Sequence, residues 1–161
     1  ERYDDDGARA TLLSELVATP QDDRLKLLVT WRALQARRAH ERLFVEGGYR
    51  PLEVAGRHAR HVVAYERRLG EQAVVTIAPR LTRWIGTGQG APTGKGVWGD
   101  TRVLLGDGRT GGWRCLVAGH AVRAGEGSER GGNAPDIRVA EALHLLPVAV
   151  LNYDGAVRKR T

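Results

Sequence analysis

Asp22–Val54, DDRLKLLVTWRALQARRAHERLFVEGGYRPLEV, starts with the period of a helix and finishes with the pattern of a strand. Asp22 or Asp23 supplies an N-cap, because a short carboxylate accepts hydrogen bonds from the free N–H groups of a first helical turn. Negative charge there also suits the positive end of the helix dipole. From Leu25 the apolar residues share one broad side: Leu25, Leu28, Val29 and the stem of Arg32, with Leu27, Trp31 and Leu34 beside them. So wide a stripe predicts a helix packed on two sides. Arg37, Arg38 and His40 put positive charge at the end where the dipole favours it. Gly47-Gly48 breaks the period, and Pro51, which cannot donate to a ladder, marks Tyr49–Val54 as an edge strand. The stretch reads as a junction between a helical layer and a β layer.

On the N-terminal side, Glu1–Asp6 reads as a frayed end. Arg9–Thr19 carries Leu12, Leu13, Leu16 and Val17 at helical spacing and is stopped by Pro20. On the C-terminal side the period changes. His61–Glu66 reads as a strand and Arg67–Glu71 as a hairpin-sized link. Gln72–Pro79 is β-branched and apolar on both sides, which predicts a central strand. Arg80–Ile85 leaves the sheet, and Gly86–Gly96 holds too much glycine to pack, so it reads as a mobile loop. Thr101–Leu105, with the turn Gly106-Asp107-Gly108 after it, Gly112–Val117, Ile137–Leu143 and Pro147–Leu151 are the remaining strands. Gly119–Asp136 is a second long loop, rich in glycine and charge, and Gly155–Thr161 is a loose basic tail. Short strands joined by hairpins with no intervening helices, about seven in all, predict a mainly β fold: an antiparallel Greek-key β-sandwich preceded by helices.

The 161 residues are 42% hydrophobic and 27% charged, a soluble globular composition. No apolar run approaches the roughly 20 residues of a membrane span. The acidic start ERYDDDG is no signal peptide, and the single Cys115 allows neither an intrachain disulfide nor a cysteine metal spacing. A cytoplasmic location is expected. There is no methionine and the sequence opens at Glu1, so a fragment of a longer protein is expected. The net charge of +6 comes almost wholly from arginine, with lysine only at Lys26, Lys95 and Lys159. That bias, with no nucleic-acid motif beside it, reads as solvated charge rather than a nucleic-acid face. Neither nucleic acid nor a membrane is an expected partner.

Candidate chemistry is sparse. Gly94-Lys95 evokes a phosphate-binding loop, but Gly96 stands where Ser or Thr should follow, Gln89 replaces the first glycine, and no helix is expected after it. His40, His58, His61, His120 and His144 show no ligand spacing and read as surface residues. Cys115 alternates with Trp113 and Val117 on one strand face and reads as a small buried thiol. Glycosidic chemistry needs two carboxylates across a cleft, and nothing suggests that any two of Asp100, Asp107, Asp136 and Glu141 converge. No catalytic residue, metal ligand or cofactor is assigned. Trp31, Trp84, Trp98 and Trp113 could stack on a sugar but read more readily as core or interdomain packing; Trp84 and Trp98, beside the glycine-rich loop, fit packing least and are the candidates for a sugar platform.

In this setting Asp23–Phe44, then Gly48–Val54 (GYRPLEV), then His61–Tyr65 (HVVAY), resemble the C-terminal part of the maltooligosyl trehalose synthase family, an α-amylase-like group of (1→4)-α-D-glucan 1-α-D-glucosylmutases. Val74–Leu81 (VVTIAPRL), Val97–Thr101 (VWGDT) with Leu104-Leu105, Gly112-Trp113-Arg114 and Leu146–Leu151 (LPVAVL) extend the resemblance in order along nearly the whole chain. The resemblance implies that residues 1–46 are the helical end of a (β/α)8 catalytic barrel, 47–154 the C-terminal β-sandwich and 155–161 a tail. It implies a parent isomerase that rearranges the reducing-end α-1,4 linkage of a maltooligosaccharide to α,α-1,1 by the two-carboxylate retaining route. The catalytic carboxylates would lie on barrel strands outside this chain, which would itself be inactive. The maltooligosaccharide would be held by that barrel, and the helices left bare without it could drive self-association. A non-catalytic glycan-binding module using Trp84 and Trp98 is the alternative. A basic nucleic-acid-binding barrel is the third, weakened by the lack of aromatic and basic residues interleaved on strands.

Overall fold

The computed structural model describes residues 6–19, 23–85, 90–106, 108–125 and 134–155. Two helices come first, α1 (Asp6–Ala18) and α2 (Asp23–Ala39). Leu13 and Leu16 of α1 are buried, and Leu25, Leu28 and Val29 of α2 pack half-buried against the same core. Arg32 of α2 donates from Nη2 to the Leu116 carbonyl oxygen at 2.8 Å. The other side of α2 is largely exposed: Leu27, Trp31 and Leu34 are 69%, 46% and 58% exposed. The sequence predicts packing on two sides, and among the described residues α2 packs mainly on one. The helix stops at His40, whose φ of −119° and ψ of 37° leave the helical region, and α3 (Glu41–Glu46) restarts it to bury Leu43.

Gly47 then turns the chain into β1 (Gly48–Pro51), which pairs antiparallel with β3 (Val62–Leu69) and forms a sheet edge. The expected strand Tyr49–Val54 is split. It stops at Pro51, which has no N–H to give the ladder, although the Leu52 N–H still reaches the Ala64 carbonyl oxygen at 2.9 Å. The next residues, β2 (Val54–Ala55), pair in a different sheet. β3 runs on to Leu69 and meets β4 (Gln72–Pro79) through a tight Gly70-Glu71 turn, so the longer link expected over Arg67–Glu71 is corrected. Gly70 permits this with φ of +58°. β4 is central as expected: β3 flanks it on one side and β9 (Ala149–Gly155) on the other, and Ala73, Val74, Val75 and Ile77 are all buried.

The larger sheet is completed by β6 (Gly111–Cys115) and β7 (Ala121–Ala124), in the order β1-β3-β4-β9-β6-β7. A three-stranded sheet, β2-β5-β8, uses β5 (Arg102–Leu104) and β8 (Asp136–Arg138). The named strand pairs are all antiparallel. Val103, Leu105 and Ile137 from the small-sheet side join Val75, Ile77, Trp113 and Leu151 from the large sheet in one apolar core.

Four further expectations change. Ile137–Leu143 is not one strand: β8 ends at Arg138 and α5 (Val139–Ala142) follows. Val139 N–H still bonds across to the Thr101 carbonyl oxygen at 3.0 Å, at the end of the β5–β8 ladder, and the chain then coils so that Leu143 N–H donates to the Val139 carbonyl oxygen at 2.9 Å. Gly119–Asp136 is not all loop, since β7 lies within it and buries Val122; residues 126–133 lie outside the described residues. Gly86–Gly96 ends in a helix, α4 (Gly94–Trp98), while residues 86–89 lie outside the described residues. The last strand is also longer than Pro147–Leu151 implied, reaching Gly155, and the tail beyond it, 156–161, lies outside the described residues.

Candidate functional site

The two candidate platform tryptophans part company. Trp98, at the end of α4, is 0% exposed; its Nε1–H donates to the Pro92 carbonyl oxygen at 2.8 Å, and the His58 ring lies edge-on 6.4 Å away. Trp113 is likewise core, tilted against Tyr153 at 5.1 Å. Trp84 instead stands 78% exposed on a single 3-10 turn, Thr82–Trp84, just after β4. Of the pair, Trp84 alone keeps a ring face open to a ligand.

A polar cleft of about 860 Å³ opens where the two sheets meet. α4 contributes Lys95, the following turn Gly99 and Asp100, β5 Arg102, β7 Arg123, β8 Asp136 and Arg138, and α5 Glu141. Gly125 and Asp136 exchange two backbone hydrogen bonds, 2.8 and 3.3 Å, that tie β7 to the small sheet and form one wall. Three of the four carboxylates whose spacing predicts no convergence therefore share one cleft; Asp107 lies outside the described residues. The convergence depends on the β5–β8 register, Arg102 opposite Arg138 and Leu104 opposite Asp136, which no local pattern encodes.

The carboxylates have polar partners. Asp136 pairs with Arg102 at 3.7 Å in a nearly buried position, and Glu141 lies 4.0 Å from Arg138 at the surface. Asp100 Oδ1 accepts the Arg57 amide at 3.2 Å. Alternating cations and carboxylates suit hydrogen bonding to a polar ligand rather than an acid–base pair. Among the described residues no three His, Cys, Asp or Glu side chains gather closely enough to hold a metal ion.

Gly94-Lys95 does open a helix, contrary to expectation, but the Gly94 N–H is already donated to the Leu143 carbonyl oxygen at 3.0 Å, so a phosphate could not use it. His58 and His61 sit in and before a 3-10 turn, their rings 6.0 Å apart. Burial, then the charges of Arg57 and His61, lower the His58 pKa against the opposing pull of Asp100. His120 packs edge-on against His144 at 4.3 Å and is pushed down to about 4, first by burial and then by the His144 charge. The carbonyls of Glu141 and Ala142 oppose that shift, but neither His120 ring nitrogen has a hydrogen bond of ordinary geometry. Cys115 is buried as expected, its thiol pushed up by burial while its Sγ accepts the Ala118 amide at 3.4 Å.

The architecture is thus mainly antiparallel β, two sheets and several helices sharing one core. No family model matches the chain, and no curated protein matches it. Among solved structures, that of a noncanonic maltogenic α-amylase from Thermotoga neapolitana is similar over 70% of this chain, with 10% identity and a TM-score of 0.45. This chain spans 22% of that enzyme's length. A likeness of that size assigns no function. No helix among the described residues is long and apolar enough to cross a membrane.

Proposed function

We propose that this chain is the C-terminal portion of a trehalose-forming glucosylmutase of the α-amylase-like class, and that its own role is structural. Residues 1–46 would be the helical end of the catalytic barrel, 47–154 a Greek-key β-sandwich covering it, and 155–161 a tail. The observation that carries this reading is the second face of α2. Leu27, Trp31 and Leu34, spaced i, i+4 and i+7, form an exposed stripe beside the packed one. A helix apolar on two sides and covered on one is suited to sit between two bodies. This helix also lies in the longest stretch that resembles the family.

The catalytic carboxylates belong to the barrel, which also binds the maltooligosaccharide; no cofactor is needed for a retaining glucosyl transfer. The Asp100, Asp136 and Glu141 cleft supports no catalytic role, because each carboxylate is already engaged by a cation or an amide. The test is incubation with maltopentaose. The 161-residue chain alone should leave the reducing ends intact. The longer natural polypeptide that contains it should remove them without shortening the chain. Turnover by the chain alone would show that it is catalytic, and failure of the longer polypeptide would rule out the glucosylmutase assignment.

A further inference from the structure

The turn that carries Trp84 is held in an unfavourable shape. Leu81, its first residue, has φ of +52° and ψ of 39°, and it is the one non-glycine among the described residues with positive φ. Leucine avoids this region because its Cβ crowds the next carbonyl. The surroundings fix it there. The Arg80 amide donates to the His61 carbonyl oxygen at 2.8 Å, and His61 Nδ1 lies 3.2 Å from the Leu81 carbonyl oxygen, which also accepts the Trp84 amide at 3.3 Å. Ile85 anchors the far side against the core. The result is that Leu81, 60% exposed, and Trp84, 78% exposed, both project outward, with Arg80 and Arg83 exposed around them. Strain that serves only to present two apolar side chains to solvent marks a contact surface.

We propose that the Leu81–Trp84 turn is a surface binding site for an α-1,4-glucan chain, separate from any catalytic cleft, with Trp84 as the stacking platform. The indole face matches the C–H face of a pyranose ring, and the exposed Arg80 and Arg83 on the same short segment are donors available to the ring hydroxyls. One indole and one leucine are far too small for a stable protein interface, which buries about 800 Å² per partner. A single platform suits a curved α-linked chain better than a flat β-linked ribbon, which needs a row of rings. The choice of glucan over other sugars rests on the function proposed above.

The probe is maltoheptaose titrated into the 161-residue chain, followed by tryptophan fluorescence and by calorimetry. Saturable millimolar binding is expected, weakened about tenfold in Trp84→Ala and less in Trp84→Phe, the scale of one aromatic contact. Leu81→Gly should keep the turn, since glycine accepts positive φ, and weaken binding only by loss of the leucine contact. No binding, equal binding in Trp84→Ala, equal binding of cellohexaose, or capture by phosphatidylserine vesicles in place of sugar would overturn the proposal. Trp84 is so exposed that Trp84→Ala should fold normally, which its thermal transition checks. A failure here would leave the parent's glucosylmutase activity standing, because that is read from reducing ends and not from binding to this chain.

Discussion

Arg50 and Glu66 face each other across β1 and β3, joined by Arg50 Nη2 and Glu66 Oε2 at 2.8 Å. Glu66 is only 2% exposed, and its Oε1 has no hydrogen-bond partner, whereas the Arg50 side chain is 43% exposed. Removing the arginine strands a buried carboxylate. Arg50→Ala should therefore cost about 3 kcal/mol in chemical denaturation, and Arg50→Leu with Glu66→Leu should recover most of it. Recovery would show that the cost is desolvation rather than lost attraction. His120 supplies a pH dependence. Its folded pKa of about 4 lies below the unfolded 6.5, so the unfolded chain binds more protons between those values. The stabilisation is complete above pH 6.5 and is lost as pH falls through about 4. Discounted for the ring's partial exposure, that is on the order of 2 kcal/mol. Thermal melts from pH 7.5 to 4 should show this loss, and His120→Gln should flatten it. The burial of Cys115 was readable from its alternation with Trp113 and Val117; the unbonded His120 ring was not, because α5 and β7 bring it to His144 from far along the chain.

For elements, the contrast within the helices gives the sharpest expectation. Leu13 of α1 is 0% exposed, and Leu13→Ala should lose 2–5 kcal/mol by removing buried methyl groups. Leu27→Ser with Leu34→Ser should change stability by less than about 0.5 kcal/mol per site, because both side chains are already in water. The same pair should reduce any self-association of the chain measured by sedimentation velocity. A large loss of stability in that pair would mean that the stripe is packed within the chain. The sequence disclosed the helices, β3 and β4 because long apolar patterns with clear periods decide such elements. It misread Ile137–Leu143, where alternate apolar residues suggest a strand but the chain coils after Arg138 and Leu143 N–H closes a turn on the Val139 carbonyl oxygen. It could not place α4, because a five-residue helix has no period to read. The cleft was illegible for a related reason: Asp100, Asp136 and Glu141 meet only through a strand register set by the whole core.

For the molecule as a whole, one core joins two sheets and side chains from five helices, and the six-residue α3 with Gly47 forms the hinge from helix to edge strand. β4 is buried between its neighbours, whereas α2 presents Leu27, Trp31 and Leu34 to solvent. On the function proposed above, the exposed side of α2 is where the catalytic barrel would pack. The decisive measurement is the intact mass of the natural polypeptide that carries these residues, taken together with its action on maltopentaose. The expected result is a polypeptide several times larger than 17.6 kDa that removes reducing ends without shortening the chain. A natural polypeptide of about 17.6 kDa that is monomeric with Leu27 and Leu34 exposed, or a larger one without that activity, would contradict it.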